Sequence, residues 1–280
     1  MITPEIKQQL KKAIEGKQHI SFLVGAGLSS ESGIPTFRDK DGYWMPGSEN
    51  YTPQEMATWR MFNLQSHKIW NWYLNRFHIC FQAKPNAGHF ALKNLQDLFP
   101  ERFALITQNV DGLHFQTGMN AKQIYSIHGD LRFMRCAESC NKKLTPLPDA
   151  LKSRGLQEAL SEEEIKLLQC PHCGGIYRPH VLWFDEIYNE EYYKLDTVCY
   201  TALTTDLLFI IGTSGATNLP SQVFLMALSN DTTVIDINPN SSLFTEEILE
   251  NPNAYWIKGK SGEILPQIVE EMRQLKTEIG

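Results

Sequence analysis

Four of the chain's six cysteines stand in two close pairs, Cys136-x3-Cys140 and Cys170-x2-Cys173, about 30 residues apart. Six cysteines in 280 residues are too sparse for a disulfide scaffold. Four thiolates at this spacing suit one tetrahedral zinc ion. Sulfur would fill every coordination position and leave none for water, so the expected role is structural. His172 lies between the second pair as a spare ligand, but four sulfurs are preferred; Cys80 and Cys199 are isolated and expected to be buried packing. A second group is "FLVGAGLSSESGIPTFRD", residues 22–39. Gly25 and Gly27 directly follow a strand-like run, where glycine lets backbone N–H groups approach a phosphate. Ser29, Ser30 and Ser32 add hydroxyl donors. The dinucleotide pattern G-x-G-x-x-G is incomplete because Ser30 holds the sixth position, and no G-K-[ST] follows. The residues alone allow a nucleotide site or a tight strand-to-helix turn.

His128 opens "HGD", residues 128–130. Imidazole titrates near neutrality and can accept a proton from a sugar hydroxyl and return it. The alternative is a histidine that caps a strand. "TQNVDG" reads as a strand end and turn. In "IWNWYLNRFHICF", residues 69–81, Tyr73 and Arg76 are three apart and share a helix face. A phenol and a guanidinium fork make a carboxylate site; the alternative is a core tyrosine beside a surface arginine.

These groups need a scaffold. "ISFLVGAG", "FALITQNV", "LLFIIGTS" and "TVIDINP" are nearly continuous apolar runs that end in small or polar residues. Such runs fit strands covered on both faces. The expected fold is α/β: a Rossmann-like parallel sheet wound with helices, with ligand at the carboxyl ends of the strands. Residues 1–35, 91–130 and 181–280 would form this Rossmann-like body. Residues 36–90 would be a helical insertion with the cofactor-binding loop, and 131–180 a zinc-binding module. "IKQQLKKAIEG" reads as an amphipathic helix closed by Gly16. A net charge of -6 argues against general nucleic-acid or anionic-membrane binding. The N-terminus lacks a secretory or mitochondrial pattern, and no apolar run of about 18 residues occurs, so the expected location is cytoplasmic, with no membrane span.

Taken in order, "GAGLSSESGIPTFRD", "TQNVDGLH", "HGD", "RPHVLWF", "GTS" and "IN" at 237–238 resemble the signatures of the sirtuins, NAD-dependent protein lysine deacylases. The resemblance runs from about residue 20 to 265. It implies that Gly25, Ala26, Gly27 and Ser29 wrap the NAD pyrophosphate. It implies that the segment through Phe37, Arg38 and Asp39 to Tyr43 and Trp44 closes over the nicotinamide ribose, with Phe37 beside the nicotinamide. Asn109 and Asp111 would hold the carboxamide and a water, and Gln108 the ribose. Gly212, Thr213, Ser214 and Asn238 would line the adenosine half, with Lys260 and Ser261 near the adenine. His128 would be the general base. Nicotinamide would leave, the acyl oxygen of a modified lysine would attack the ribose C1′, and a ribose hydroxyl activated by His128 would take over the acyl carbon. Free lysine, nicotinamide and O-acyl-ADP-ribose would result, with no hydride transfer.

Within this resemblance, Val181, Trp183 and Phe184 would line the acyl-lysine channel. A Tyr-x-x-Arg pair shortly before "PNAGH" marks the sirtuins that prefer acidic acyl groups, and Tyr73 and Arg76 hold that place. Succinyl-, malonyl- or glutaryl-lysine is the expected substrate, with acetyl-lysine also accepted. Two residues depart from the family pattern: Asp185 replaces a glycine where the substrate backbone pairs, and Asn218 replaces an apolar residue. A side chain at 185 could narrow or recharge the peptide cleft, and the sequence does not decide its effect on peptide binding. ADP-ribosyl transfer or NAD hydrolysis on the same fold is the alternative activity, and a nucleotide-sensing module without turnover is a third reading.

Overall fold

The computed structural model describes residues 2–36, 53–157 and 159–279. The expected contacts of Phe37, Arg38, Asp39, Tyr43 and Trp44 lie outside the described residues. Among the described residues, nine strands follow in chain order. They are β1 (Ile20–Val24), β2 (Phe103–Thr107), β3 (Ile124–Ser126), β4 (Gly129–Cys136), β5 (Thr145–Pro146), β6 (Tyr177–Val181), β7 (Leu207–Ile211), β8 (Thr233–Asn238) and β9 (Ala254–Lys258). Six form one sheet in the order β3-β2-β1-β7-β8-β9, with every neighbouring pair parallel. The four apolar runs of the sequence are β1, β2, β7 and β8.

Both faces of this sheet are covered, which is why its central strands carry apolar residues at every position. Leu207, Phe209 and Ile211 pack into one core with helices Pro4–Glu15, Ala87–Leu98 and Ser261–Ile279. Leu208 and Ile210 pack into the opposite core with helices Leu195–Thr204 and Asn218–Ser229. At the centre Phe22 stacks between Phe103 and Phe209, at 4.9 and 5.0 Å between ring centroids. The first helix starts with Thr3 as N-cap and proline in its first turn, and stops at Gly16, as its sequence predicts. Chain order reverses at β1, since β2 and β3 lie to one side and β7 to β9 to the other. The crevice beyond the carboxyl ends of β1 and β7 is therefore the place for a ligand.

A third core belongs to neither face. Strands β5-β4-β6 form a small antiparallel sheet. Helix Trp59–Gln82 turns Ile69, Trp70, Tyr73, Leu74 and Phe77 onto the same cluster as Met134, Leu147, Leu168, Tyr177 and Trp183. Trp70 donates its Nε1–H to the Tyr177 carbonyl at 2.6 Å. Arg154, 6% exposed, donates to Glu164, Asn71, Asn75, Gln157 and the Ala159 carbonyl. That cage ties the loop of the cysteine module to the helix. Residues 53–83 and 131–183 thus share one hydrophobic core. Among the described residues no helix is long and apolar enough to cross a membrane.

Candidate active site

The two glycines after β1 meet a third after β7. A Cβ on Gly27 would lie 2.6 Å from the Gly212 Cα, and one on Gly25 would lie 2.9 Å from the Gly212 carbonyl oxygen. Their N–H groups are engaged as well: Gly25 donates to the Ile211 carbonyl at 2.9 Å and Gly27 to the Gly212 carbonyl at 2.8 Å. Gly212 itself has φ +57, in the left-handed region. Glycine is required here because two backbones touch at the mouth of the crevice. Ala26 opens the short helix Ala26–Ser30 between them.

Polar side chains gather around that mouth. Asn109 donates through Nδ2 to the Gly25 carbonyl at 3.0 Å and to Ser29 Oγ at 3.1 Å. Ser29 in turn donates to Asp111 at 2.8 Å, and Asp111 also accepts the Leu113 N–H at 2.9 Å. Ser29 and Asp111 are buried, and burial raises the Asp111 pKa above the usual carboxylate value. On the other flank Gln108 donates to Thr213 Oγ1 at 2.8 Å and accepts from Thr217 Oγ1 at 3.1 Å, bridging the ends of β2 and β7. Asn238 is buried at the end of β8, hydrogen-bonded to Asp236. Ser214 accepts the Leu243 N–H through its carbonyl at 3.1 Å. Ser261, expected near the adenine, donates to Glu31 at 3.0 Å and starts the last helix.

His128 follows β3, across the crevice from the glycines. Its Nδ1 lies 3.1 Å from the Gln108 carbonyl and its Nε2 2.9 Å from the Tyr188 hydroxyl. Burial lowers its pKa to about 4, against a smaller upward pull from the Gln108 carbonyl. The ring is neutral at pH 7, as a general base must be. The next residue has to be glycine: Gly129 has φ +93, and a Cβ there would lie 2.2 Å from the His180 carbonyl. The His128 carbonyl accepts the Leu182 N–H at 2.9 Å. The histidine is thereby joined to the segment expected to line the acyl channel.

In that segment Val181 and Trp183 are buried, whereas Phe184 is 56% exposed. Trp183 donates its Nε1–H to the Tyr73 hydroxyl at 2.8 Å. Burial pushes the Tyr73 pKa well above its ordinary value, so the phenol keeps its proton and can donate it. The Arg76 guanidinium stacks over the Trp72 ring at 3.7 Å and acts electrostatically on Tyr73. Tyr73, Arg76 and Trp183 are therefore gathered in one place, with Tyr73 at its centre.

Asp185 is engaged at a helix start. Its carboxylate accepts the N–H groups of Trp59 at 2.7 Å and Arg60 at 3.1 Å, capping helix Trp59–Gln82 beside the N-cap Thr58. Phe184 N–H donates to the Ala57 carbonyl at 3.0 Å in the same junction. The physical reason is the helix start itself, which leaves N–H groups that draw a nearby carboxylate.

The four cysteines converge. The Sγ atoms of Cys136, Cys140, Cys170 and Cys173 all lie within 4.8 Å of one another, with pairs at 3.5 and 3.6 Å. A tetrahedron with Zn–S bonds of about 2.3 Å has edges of about 3.8 Å, so the donor set fits zinc. His172 is exposed and is not part of this cluster. Cys80 is buried as expected, whereas Cys199 is only half-buried.

Two residues went unnoticed in the sequence. Glu186 accepts from Arg178 and, at 3.4 Å, from Arg135, and it fixes the Trp183 N–H at 2.9 Å. Tyr188 touches His128. Neither carries a local signal, because their partners lie across the fold.

Comparisons with known proteins place the fold in a family. A family model described as "Sir2 family" matches residues 25–218. The chain is 37% identical over 268 residues to a Leptospira interrogans protein named NAD-dependent protein deacylase, covering 95% of this chain and 98% of that one. It is 37% identical over 269 residues to a Pyrococcus abyssi protein of the same name, with the same coverage. Among solved structures, a Sir2 homologue in complex with ADP-ribose superposes with a TM-score of 0.79 at 32% identity, covering 96% of this chain and 98% of that one. A Sir2 homologue in complex with NAD gives 0.77 at 32% identity, covering 98% and 95%.

Proposed function

The chain belongs to the Sir2 family, and from this premise we propose that it removes acidic acyl groups from protein lysines, with succinyl, malonyl or glutaryl preferred over acetyl. The coarser activity is that of its relatives: it is an NAD-dependent protein deacylase with NAD as co-substrate. The described residues fit NAD. The crevice beyond β1 and β7 is closed by backbone contact at Gly25, Gly27 and Gly212, and the buried polar groups of Ser29, Asp111, Thr213 and Asn238 surround it. When bound, NAD supplies the leaving nicotinamide and the ribose that receives the acyl group.

The chain's own residues then have distinct tasks. Asn109 and Asp111, linked through Ser29, hold the carboxamide end. Gln108 and Thr213, already paired, present hydroxyl and amide groups to the sugar side. His128 accepts the ribose hydroxyl proton at Nε2, while Nδ1 stays bonded to the Gln108 carbonyl. Val181 and Trp183 exclude water from the acyl-lysine. Zinc, held by Cys136, Cys140, Cys170 and Cys173, staples the module beside them.

The observation that supports the acidic preference is Tyr73. It is a buried phenol kept protonated, oriented by Trp183 and close to the Arg76 charge. A carboxylate entering that site meets one donor and one cation; an acetyl group uses neither. The test is wild-type kcat/KM on matched succinyl- and acetyl-lysine peptides at saturating NAD. A succinyl:acetyl ratio above 10 is expected from one charge-assisted contact. A ratio at or below one would refute the preference and leave the deacylase assignment intact.

A further inference from the structure

The phenol of Tyr188 has no part in the chemistry above, yet its oxygen lies 2.9 Å from Nε2 of His128. The surrounding groups decide which atom donates. Nδ1 of the same ring faces the Gln108 carbonyl at 3.1 Å, and a carbonyl only accepts. Nδ1 therefore carries the hydrogen, and in the neutral ring Nε2 carries the lone pair. A lone pair only accepts, so the phenol's own hydrogen goes to Nε2.

The phenol is braced. The Tyr188 ring stands edge-on to Tyr193, at 6.4 Å and 85°. Tyr193, 1% exposed, stacks in turn on His180 at 5.9 Å and 4°. The groups acting on His128 are burial and the Gln108 carbonyl; those acting on Tyr188 are burial, the Leu219 N–H and Tyr193. No charged side chain is in either set.

We propose that Tyr188 is a positioning residue for the deacylation: it presets His128 as the Nδ1–H tautomer and holds the Nε2 lone pair until a ribose hydroxyl takes the phenol's place. This rests on the reading of His128 as general base. At the exchange the phenol would keep its proton, and a ribose O–H would become the donor to Nε2. Accepting that proton makes His128 an imidazolium that still donates through Nδ1 to the Gln108 carbonyl.

A hydrogen bond to the neutral ring disfavours its protonation. Tyr188→Phe removes that bond and keeps the braced ring. By NMR, ligand-free wild-type protein should show His128 as the Nδ1–H tautomer. In Tyr188→Phe its titration midpoint, and the acid limb of kcat/KM, should both move up by roughly half a pH unit to one unit. A wild-type Nε2–H tautomer would overturn the proposal without any variant. So would an unmoved midpoint in Tyr188→Phe. His128→Ala separates the two readings. If it turns over normally, the general-base reading falls and the proposal with it. If it is dead while Tyr188→Phe titrates like wild type, the proposal alone falls.

Discussion

At the scale of single residues, the site is a set of short polar links between strand ends. The Asn109–Ser29–Asp111 chain joins the glycine turn to the loop after β2. The Tyr73–Trp183 bond joins helix Trp59–Gln82 to the segment after β6. Arg76 is the one charge assigned to the substrate's carboxylate. Arg76→Ala should therefore lower kcat/KM on a succinyl-lysine peptide by roughly 10- to 100-fold, the worth of one charge-assisted contact. Deacetylation should change by less than about threefold. Equal loss on both substrates would make Arg76 a structural residue. Part of this scale was legible: the cysteine spacing led to the four-sulfur cluster. What escaped was what depends on distant partners. Nothing near Tyr188 in sequence announces a histidine 60 positions earlier, and nothing near Asp185 announces a helix start at Trp59. The glycines were read as making room for phosphate. Their first demand is contact with Gly212, which only strand order reveals.

At the scale of elements, the apolar runs of β1, β2, β7 and β8 were plain because both their faces are buried. The edge strands were not. β3 is three residues long, and β9, Ala-Tyr-Trp-Ile-Lys, is only half-covered at the sheet edge. Helix 69–81 was legible, but its true start at Trp59 was hidden by the non-helical Gln65, φ -146 and ψ 54, inside it. That start is held by two caps, Thr58 on the Met61 N–H and Asp185 on the Trp59 and Arg60 N–H groups. Asp185 thereby fastens the channel segment to the helix that carries Tyr73 and Arg76. Asp185→Ala should lower stability by about 1 kcal/mol, the usual worth of a cap. It should also weaken discrimination between succinyl and acetyl peptides. Denaturant midpoints and the kcat/KM ratio check both parts. A destabilised variant with wild-type discrimination would show that the cap serves the fold only.

At the scale of the whole molecule, the parallel sheet and the smaller body meet at the crevice, and one shared core unites segments 53–83 and 131–183. The sequence reading expected the two insertions to form a small zinc-binding and helical module; which residues share its core emerges only once the chain is folded. Buried histidines make the assembly sensitive to acid. Burial lowers His89 to about 4, His114 well below the usual value and His180 to about 3. Each is neutral when folded and protonates near pH 6.5 when unfolded, so its contribution is present above 6.5 and is lost as pH falls toward the folded value. Asp236, raised to about 7 by burial, and Asp111, also raised, oppose this: they favour the folded state more as pH falls. His128, lowered to about 4, behaves in the same way, so four histidines against two aspartates leave about two net protons taken up on unfolding. Stability should fall by about 2.7 kcal/mol per pH unit between pH 6 and 4.5, read as a lower urea midpoint. An unchanged or higher midpoint would refute that balance. The most direct test of the central claim is stoichiometry: free lysine and nicotinamide counted together, with NAD and an acylated, or an unacylated, peptide. The account predicts one nicotinamide per lysine freed, none without the acyl group, and no lysine freed by His128→Ala. Nicotinamide released without an acylated peptide, or lysine freed at the wild-type rate by His128→Ala, would contradict it.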